Sequence, residues 1–322
     1  MTTTVVATAF GGPEVLSLIN EPAPVPGPGQ VLLEVRAAAT NPVDYKLYGG
    51  AYGKDPSRLP LRVGMEASGI VSAAGEGAEG PAGLIQVGDE VIAYPIQGAY
   101  ATEVVAPVSS VLPKPANLSF EAASGLMLTG CTAVHALSVT AVGSGDTVVI
   151  HGASGGVGLM AVQLAVNAGA RVIATASEDG HAYLRQLGAE PVTYGTGLLE
   201  RIGALAAHGV DAAIDTVGSD EAIDVSVALV DDPAAIGDEG NRIVTIAAFQ
   251  RGGELGLKVI GMGPGGDPGT EIRAAARLQL VRQCEEGKLT VRLANVYPLT
   301  EVASAHRELM AGHAHGKIVL VP

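Results

Sequence analysis

The chain has 322 residues, 48% of them hydrophobic, with 44 glycines and no tryptophan. That length suits two domains whose core is built from Val, Ala, Leu and Ile. The net charge of −14, from 19 basic and 33 acidic residues, argues against nucleic acid or an anionic membrane as partner. The two cysteines, Cys131 and Cys284, form no Cys-x-x-Cys pair, which argues against a disulfide framework or a cysteine-built zinc site and fits a reducing compartment. Residues 1–7 lack the basic start and apolar run of a secretory signal, and no apolar run is long enough to span a bilayer. A cytoplasmic protein is expected.

Residues 1–118 read as a β-rich, loop-heavy domain. Val31–Ala37 partly alternates, and Gly69–Val71, Glu90–Tyr94 and Tyr100–Val105 are further strand candidates. Turn-rich stretches at 21–29 and 75–81 separate them. The character changes after Pro113-Lys114-Pro115. Ser119 is the expected N-cap of a short helix, and a second helix is expected over Thr132–Val139. Then a β-branched strand, Thr147–Ile150, runs through His151 into Gly152-Ala153-Ser154-Gly155-Gly156-Val157-Gly158. An apolar helix, Leu159–Val166, and a second strand, Arg171–Thr175, follow. This is a βαβ unit of roughly 30 residues, the size of a dinucleotide-binding unit. Gly152 makes the sharp turn, Gly155 lets a pyrophosphate approach the backbone, and Gly158 brings the helix close to the strand. The N–H groups at the helix start then favour phosphate. Ala153 stands where the commonest fingerprint has its first glycine, so a slightly widened turn is expected.

Alternation continues. His181–Leu187, Leu198–His208 and Glu221–Val230 read as helices. Val192–Tyr194, Asp211–Asp215, Asn241–Ala247 and Leu255–Ile260 read as strands. Gly261–Gly269 is a hinge or pocket loop, Glu271–Glu286 a long helix, and the stretch from Leu289 holds two short strand-like runs flanking a helix at Val302–Met310. Strands alternating with helices imply a mostly parallel sheet covered on both faces. Ligands bind such sheets at the carboxyl ends of the strands. That rule places Gly152–Gly158, Ala176–Ser177, Thr216–Gly218 and Ala247–Phe249 on one rim.

The order of parts resembles the medium-chain dehydrogenase/reductase superfamily, in its zinc-free, zeta-crystallin-like quinone oxidoreductase branch. The resemblance rests on Asn41-Pro42-Val43-Asp44, on Gly64-Met65-Glu66-Ala67-Ser68-Gly69-Ile70-Val71 and on Val87-Gly88-Asp89-Glu90-Val91. Leu128–Ala133 and the glycine loop complete it. It implies an α/β fold, a Rossmann doubly wound parallel sheet at 119–269 inserted in a β-rich GroES-like catalytic domain formed by 1–118 and 270–322. It also implies a homodimer, for which Leu255–Ile260 supplies an edge strand to pair across a two-fold axis. Zinc-dependent relatives have Cys where Asn41 stands, His where Met65 stands, and Cys near Leu128. Amide, thioether and aliphatic groups do not hold the metal, so no metal is expected.

The implied cofactor is NADPH. The second strand ends in Thr175-Ala176-Ser177, without the acid that NAD enzymes use for the ribose 2′-hydroxyl. NADPH-using relatives surround the 2′-phosphate with Ser, Lys and Tyr; here Ser177, His181 and Tyr194 stand in those places. Thr129 is expected near the nicotinamide ribose, and Val217, Ala247 and Phe249 along the rim. Asn41 and Tyr52 are the catalytic candidates, donors that polarise or protonate a substrate. Many relatives have Tyr where this chain has Lys46. Glu66 is expected to satisfy backbone or Arg groups behind the site, and His151 to be a core imidazole satisfied by backbone. The expected activity is reduction of a quinone, the alternative being reduction of an enone or enoyl group. An NADPH-binding structural or RNA-binding protein is a more distant reading, against which the acidic charge argues.

Overall fold

The computed structural model describes residues 1–230 and 240–322. The chain divides into two compact units, Met1–Leu128 with Arg277–Pro322, and Thr129–Ala276. The sequence reading put the boundaries in turns, at 118/119 and 269/270; those of the compact units lie inside two helices.

In chain order the first unit contains β1 (Thr2–Ala7), β2 (Leu16–Glu21), β3 (Gln30–Ala39), α1 (Pro42–Tyr48), β4 (Leu61–Arg62) and β5 (Ala67–Ala74). A short hairpin, β6 (Glu79–Gly80) and β7 (Gly83–Leu84), leads to β8 (Glu90–Ala93), β9 (Glu103–Pro107) and β10 (Val111–Pro113). α2 (Phe120–Ser124) follows, with Ser119 Oγ accepting the Ala122 N–H at 3.3 Å, as an N-cap should. α3 (Met127–Val139) starts earlier than expected, being an apolar helix with no polar face to mark its first turn.

The second unit runs β11 (Thr147–His151), α4 (Gly156–Asn167), β12 (Arg171–Ala176), α5 (Glu178–Gln186), β13 (Glu190–Thr193), α6 (Leu198–Leu205), β14 (Ala212–Asp215) and α7 (Asp220–Leu229). β15 (Ile243–Thr245), α8 (Phe249–Glu254), β16 (Lys258–Val259) and α9 (Thr270–Glu285) continue the chain. Among the described residues its sheet has six strands in the order β13-β12-β11-β14-β15-β16, all parallel. The order steps outward one way from β11, then the other way from β14. Right-handed crossovers then place the connecting helices on opposite faces, which is the doubly wound Rossmann arrangement. α8 has no counterpart in the sequence reading, because Gly252 and Gly253 dilute its helical signal.

The last segment, β17 (Leu293–Pro298), α10 (Val302–Ala311) and β18 (Lys317–Val321), returns to the first unit. β18 pairs antiparallel with β3 (Val319 with Ala39) inside the sheet β10-β8-β5-β3-β18-β17, and β9 also pairs with β3. β1 escaped the sequence reading because threonines begin it and it is buried nearly along its length, leaving no period-two pattern; β2 has no counterpart in that reading either. Leu33, Val63, Tyr48, Tyr100 and Leu320 are buried in this unit's core. Val149, Ile173 and Ile202 form a core cluster of the nucleotide unit. Among the described residues no helix is long and apolar enough to cross a membrane.

Candidate functional site

The glycine turn after β11 is built for close approach. Gly152 has φ +70°, and a Cβ there would come within 2.6 Å of Thr216 Oγ1 and Val217 Cγ2. A Cβ on Gly158 would lie 2.2 Å from the Gly152 carbonyl oxygen, so only glycine lets α4 rest on the turn. Gly155 differs: its φ is −78°, and a Cβ would meet only the Gly152 oxygen, at 3.4 Å. The protein's own packing does not require glycine there. No side chain caps α4, so the N–H groups around Ser154, Gly156 and Val157 stand at an open helix start. The Ala153 side chain is buried, and its N–H donates to Thr175 O at 2.9 Å, which is how alanine fits the first glycine position. These features fit a dinucleotide pyrophosphate.

Asp215, at the end of β14, organises the neighbouring rim. It is fully buried; Oδ1 accepts the N–H groups of Val217 and Gly218, both at 2.9 Å, and Oδ2 accepts the Thr245 hydroxyl at 2.6 Å. Thr245 Oγ1 in turn accepts the N–H groups of Ala247 and Ala248, at 3.2 and 2.9 Å. Sequence reasoning named the rim turns but missed these two residues; a polar side chain ending an apolar strand was the available signal. Val217 is 54% exposed on this rim. The half-buried Phe249 packs on the glycine run after β16, where a Cβ on Gly263 would come within 2.4 Å of its ring. Thr129 is buried within α3.

At the next strand ends, Ala176 of β12 is in register with Thr193 of β13, so Ser177 and Tyr194 follow at neighbouring strand ends. Ser177 precedes α5 without using its hydroxyl as a cap. His181 Nε2 lies 3.4 Å from the Ala176 carbonyl oxygen. Tyr194 is 52% exposed. His151 departs from expectation in part: burial lowers its pKa to about 4, and among the described residues its Nε2 has no partner, while Nδ1 lies 3.3 Å from Thr175 Oγ1. It is a core imidazole as expected, but among the described residues no backbone group satisfies it.

In the first unit Asn41 is buried. Its Nδ2 donates to Glu66 Oε1 at 3.0 Å and to Ala39 O at 3.4 Å, and its Oδ1 accepts Lys317 Nζ at 2.6 Å. Glu66 Oε2 accepts the Leu128 N–H at 2.8 Å, and Lys317 Nζ also donates to Thr40 O at 2.9 Å and Glu66 Oε1 at 3.3 Å. Glu66 therefore satisfies backbone as expected, with Lys317 in place of an Arg. The β3–β18 pairing brings Lys317 to Asn41 across 276 residues. Among the described residues no group of three or more His, Cys, Asp or Glu side chains is arranged to hold a metal ion.

Asn41 starts α1, and the Asp44 carboxylate reaches back to its N–H at 2.8 Å. Asp44 belongs to a second buried chain that sequence reasoning missed. Tyr100 donates to Asp44 Oδ2 at 2.7 Å, His306 Nε2 lies 3.3 Å from the Tyr100 hydroxyl, and Tyr48 lies 2.7 Å from His306 Nδ1. Because the Tyr100 proton goes to Asp44, Nε2 carries the imidazole proton and Nδ1 accepts from Tyr48. Burial pushes the Asp44 carboxyl up to about 7 and His306 down to about 4. This chain anchors α1, which presents the half-buried Lys46, and beyond it Tyr52. Partial burial lowers the Lys46 pKa; burial and then the Asp44 charge raise that of Tyr52. Among the described residues the Tyr52 phenol has no hydrogen-bond partner.

Residues 27–116 match the model of the alcohol dehydrogenase GroES-like domain, and residues 187–320 that of a zinc-binding dehydrogenase. The chain is 31% identical to the quinone oxidoreductase of Mus musculus, covering 97% of this chain and 95% of that one. A mycobacterial structure complexed with NADPH is 30% identical, with TM-score 0.82 and full coverage of both chains. The CurK enoyl reductase is 27% identical, with TM-score 0.83 and 99% of each chain covered.

Proposed function

Since the chain belongs to the medium-chain dehydrogenase/reductase superfamily, in its quinone oxidoreductase branch, we propose that this oxidoreductase uses NADPH, without zinc, to reduce a quinone. The observation that carries the proposal is the whole-length likeness to quinone oxidoreductases. It is supported by a rim that combines the Gly155 opening with hydroxyl side chains, Ser177 and Tyr194, at neighbouring strand ends. NADPH supplies the hydride. Gly152 to Gly158 hold the pyrophosphate, Ser177, His181 and Tyr194 the 2′-phosphate, and Thr129, Val217, Ala247 and Phe249 border the remainder.

Asn41 is a positioning residue, because its amide is committed to Glu66 and Lys317. It and Asp44 fix the start of α1. Tyr52, whose raised pKa keeps the phenol protonated, donates to the substrate. Reduction of an enone or enoyl group is the second reading, favoured by the likeness to the CurK enoyl reductase; there the Tyr52 proton goes to the α-carbon. The working form in this reading is a cytoplasmic homodimer that pairs edge strand β16 across a two-fold axis.

The test is anaerobic NADPH consumption with a simple benzoquinone beside a matched α,β-unsaturated ketone. Faster quinone turnover is expected; faster enone turnover moves the protein to the alkene reductases.

A further inference from the structure

The turn carrying Tyr194 is held by two charged side chains whose arrangement its neighbouring helix does not explain. After Thr193 the chain bends through Gly195 and Gly197, with φ of +95° and +82°, into α6. Arg201, in the second turn of α6, reaches back over this bend. Its Nε and Nη2 donate to Thr193 O at 3.1 and 2.7 Å, Nη2 also to Gly195 O at 2.9 Å, and Nη1 to Thr196 O at 2.7 Å. From another helix, Glu221 Oε2 accepts the Gly195 N–H at 3.0 Å. Glu221 stands in the first turn of α7, just beyond the rim turn at 216–218. A cation near a helix N-terminus opposes the helix dipole, and the three carbonyls it serves precede the helix. The guanidinium fork therefore stabilises the turn rather than α6. Between Thr193 and Gly195, both held this way, Tyr194 remains 52% exposed.

We propose that Arg201 and Glu221 are positioning residues for cofactor discrimination: they clamp the Tyr194 turn beside Ser177, so that an adenosine 2′-phosphate meets hydroxyls already in place. The proposal rests on the NADPH reading above. Without the clamp the turn is ordered only when ligand binds, which weakens binding of the 2′-phosphate and leaves the rest of the nucleotide untouched.

Isothermal titration with adenosine 2′,5′-bisphosphate and with 5′-AMP tests this on the full chain. Arg201→Met is expected to raise the bisphosphate Kd about tenfold and the AMP Kd less than twofold. Arg201→Lys, which keeps the charge but loses the fork, is expected to show most of that loss; full restoration by lysine overturns the clamp in favour of charge alone. An equal loss for both ligands, or no loss for either, also overturns it. Should Arg201→Met fail to fold, Glu221→Ala serves in its place: a selective loss for the bisphosphate supports the clamp, and unchanged or parallel affinities refute it. Ser177→Asp separates the two levels. If the wild type binds both ligands alike and Ser177→Asp changes nothing, the NADPH reading itself fails. If Ser177→Asp removes the preference while Arg201→Met leaves it, only the clamp fails.

Discussion

Lys317→Met is the most informative single perturbation of the buried network around Asn41. The ammonium group donates to Thr40 O, Asn41 Oδ1 and Glu66 Oε1 at 2.9, 2.6 and 3.3 Å, with the Lys317 side chain 5% and that of Glu66 0% exposed. Methionine fills much the same space but leaves the Glu66 carboxylate without its cation. Removing one partner of such a pair costs about 3–5 kcal/mol. At roughly 2–4 °C per kcal/mol for a unit of this size, Tm falls on the order of 10 °C. Urea unfolding and calorimetry read both numbers. Glu66→Leu combined with Lys317→Met removes the orphaned charge as well and should recover more than half of the loss, since a matched apolar pair often replaces a buried ion pair without penalty. A loss under about 1 kcal/mol for the single variant, or no recovery in the double variant, refutes the reasoning.

Three further outcomes follow from the geometry. Gly158→Ala forces a Cβ to 2.2 Å from the Gly152 oxygen and should lower stability by about 1–3 kcal/mol, whereas Gly155→Ala should leave Tm within about a degree and weaken NADPH binding about tenfold; equal effects on Tm contradict the ligand-approach role. Tyr52→Phe should slow enone reduction about a hundredfold and change quinone reduction less than twofold; an unchanged enone rate shows that Tyr52 is not the donor. The folded Asp44 pKa of about 7 lies above its ordinary 3.8, so its contribution is full in acid and is lost as pH rises toward 7. The folded His306 pKa of about 4 lies below its ordinary 6.5, so its contribution is full above that value and is lost as pH falls toward 4. Asp44→Asn removes only the first slope, and Tm should then fall more steeply with acid than in the wild type; parallel calorimetric profiles contradict this.

The βαβ unit was legible because strand, glycine turn and helix are contiguous and each local preference agrees with the next. The strand order was not, since β14 reaches β11 only after two intervening strands have moved the other way. The same distinction runs through the site. Gly152, Gly155 and Gly158 speak for themselves in sequence, and so does the missing acid at Ser177. The Lys317–Asn41 contact spans 276 residues and depends on β18 joining β3, so no local pattern announces it. The His306–Tyr100–Asp44 chain is of the same kind. Asn41 stands in a motif visible in the sequence, but its direction is set by Glu66 and Lys317, which turn it inward.

Zinc-free, NADPH-dependent quinone reduction is tested by anaerobic NADPH oxidation with benzoquinone, using protein dialysed exhaustively against a strong chelator and followed by loss of nicotinamide absorbance. Turnover equal to that of undialysed protein and unaffected by added zinc is expected. Turnover that vanishes on dialysis and returns only with zinc, or no turnover with NADPH at all, contradicts it.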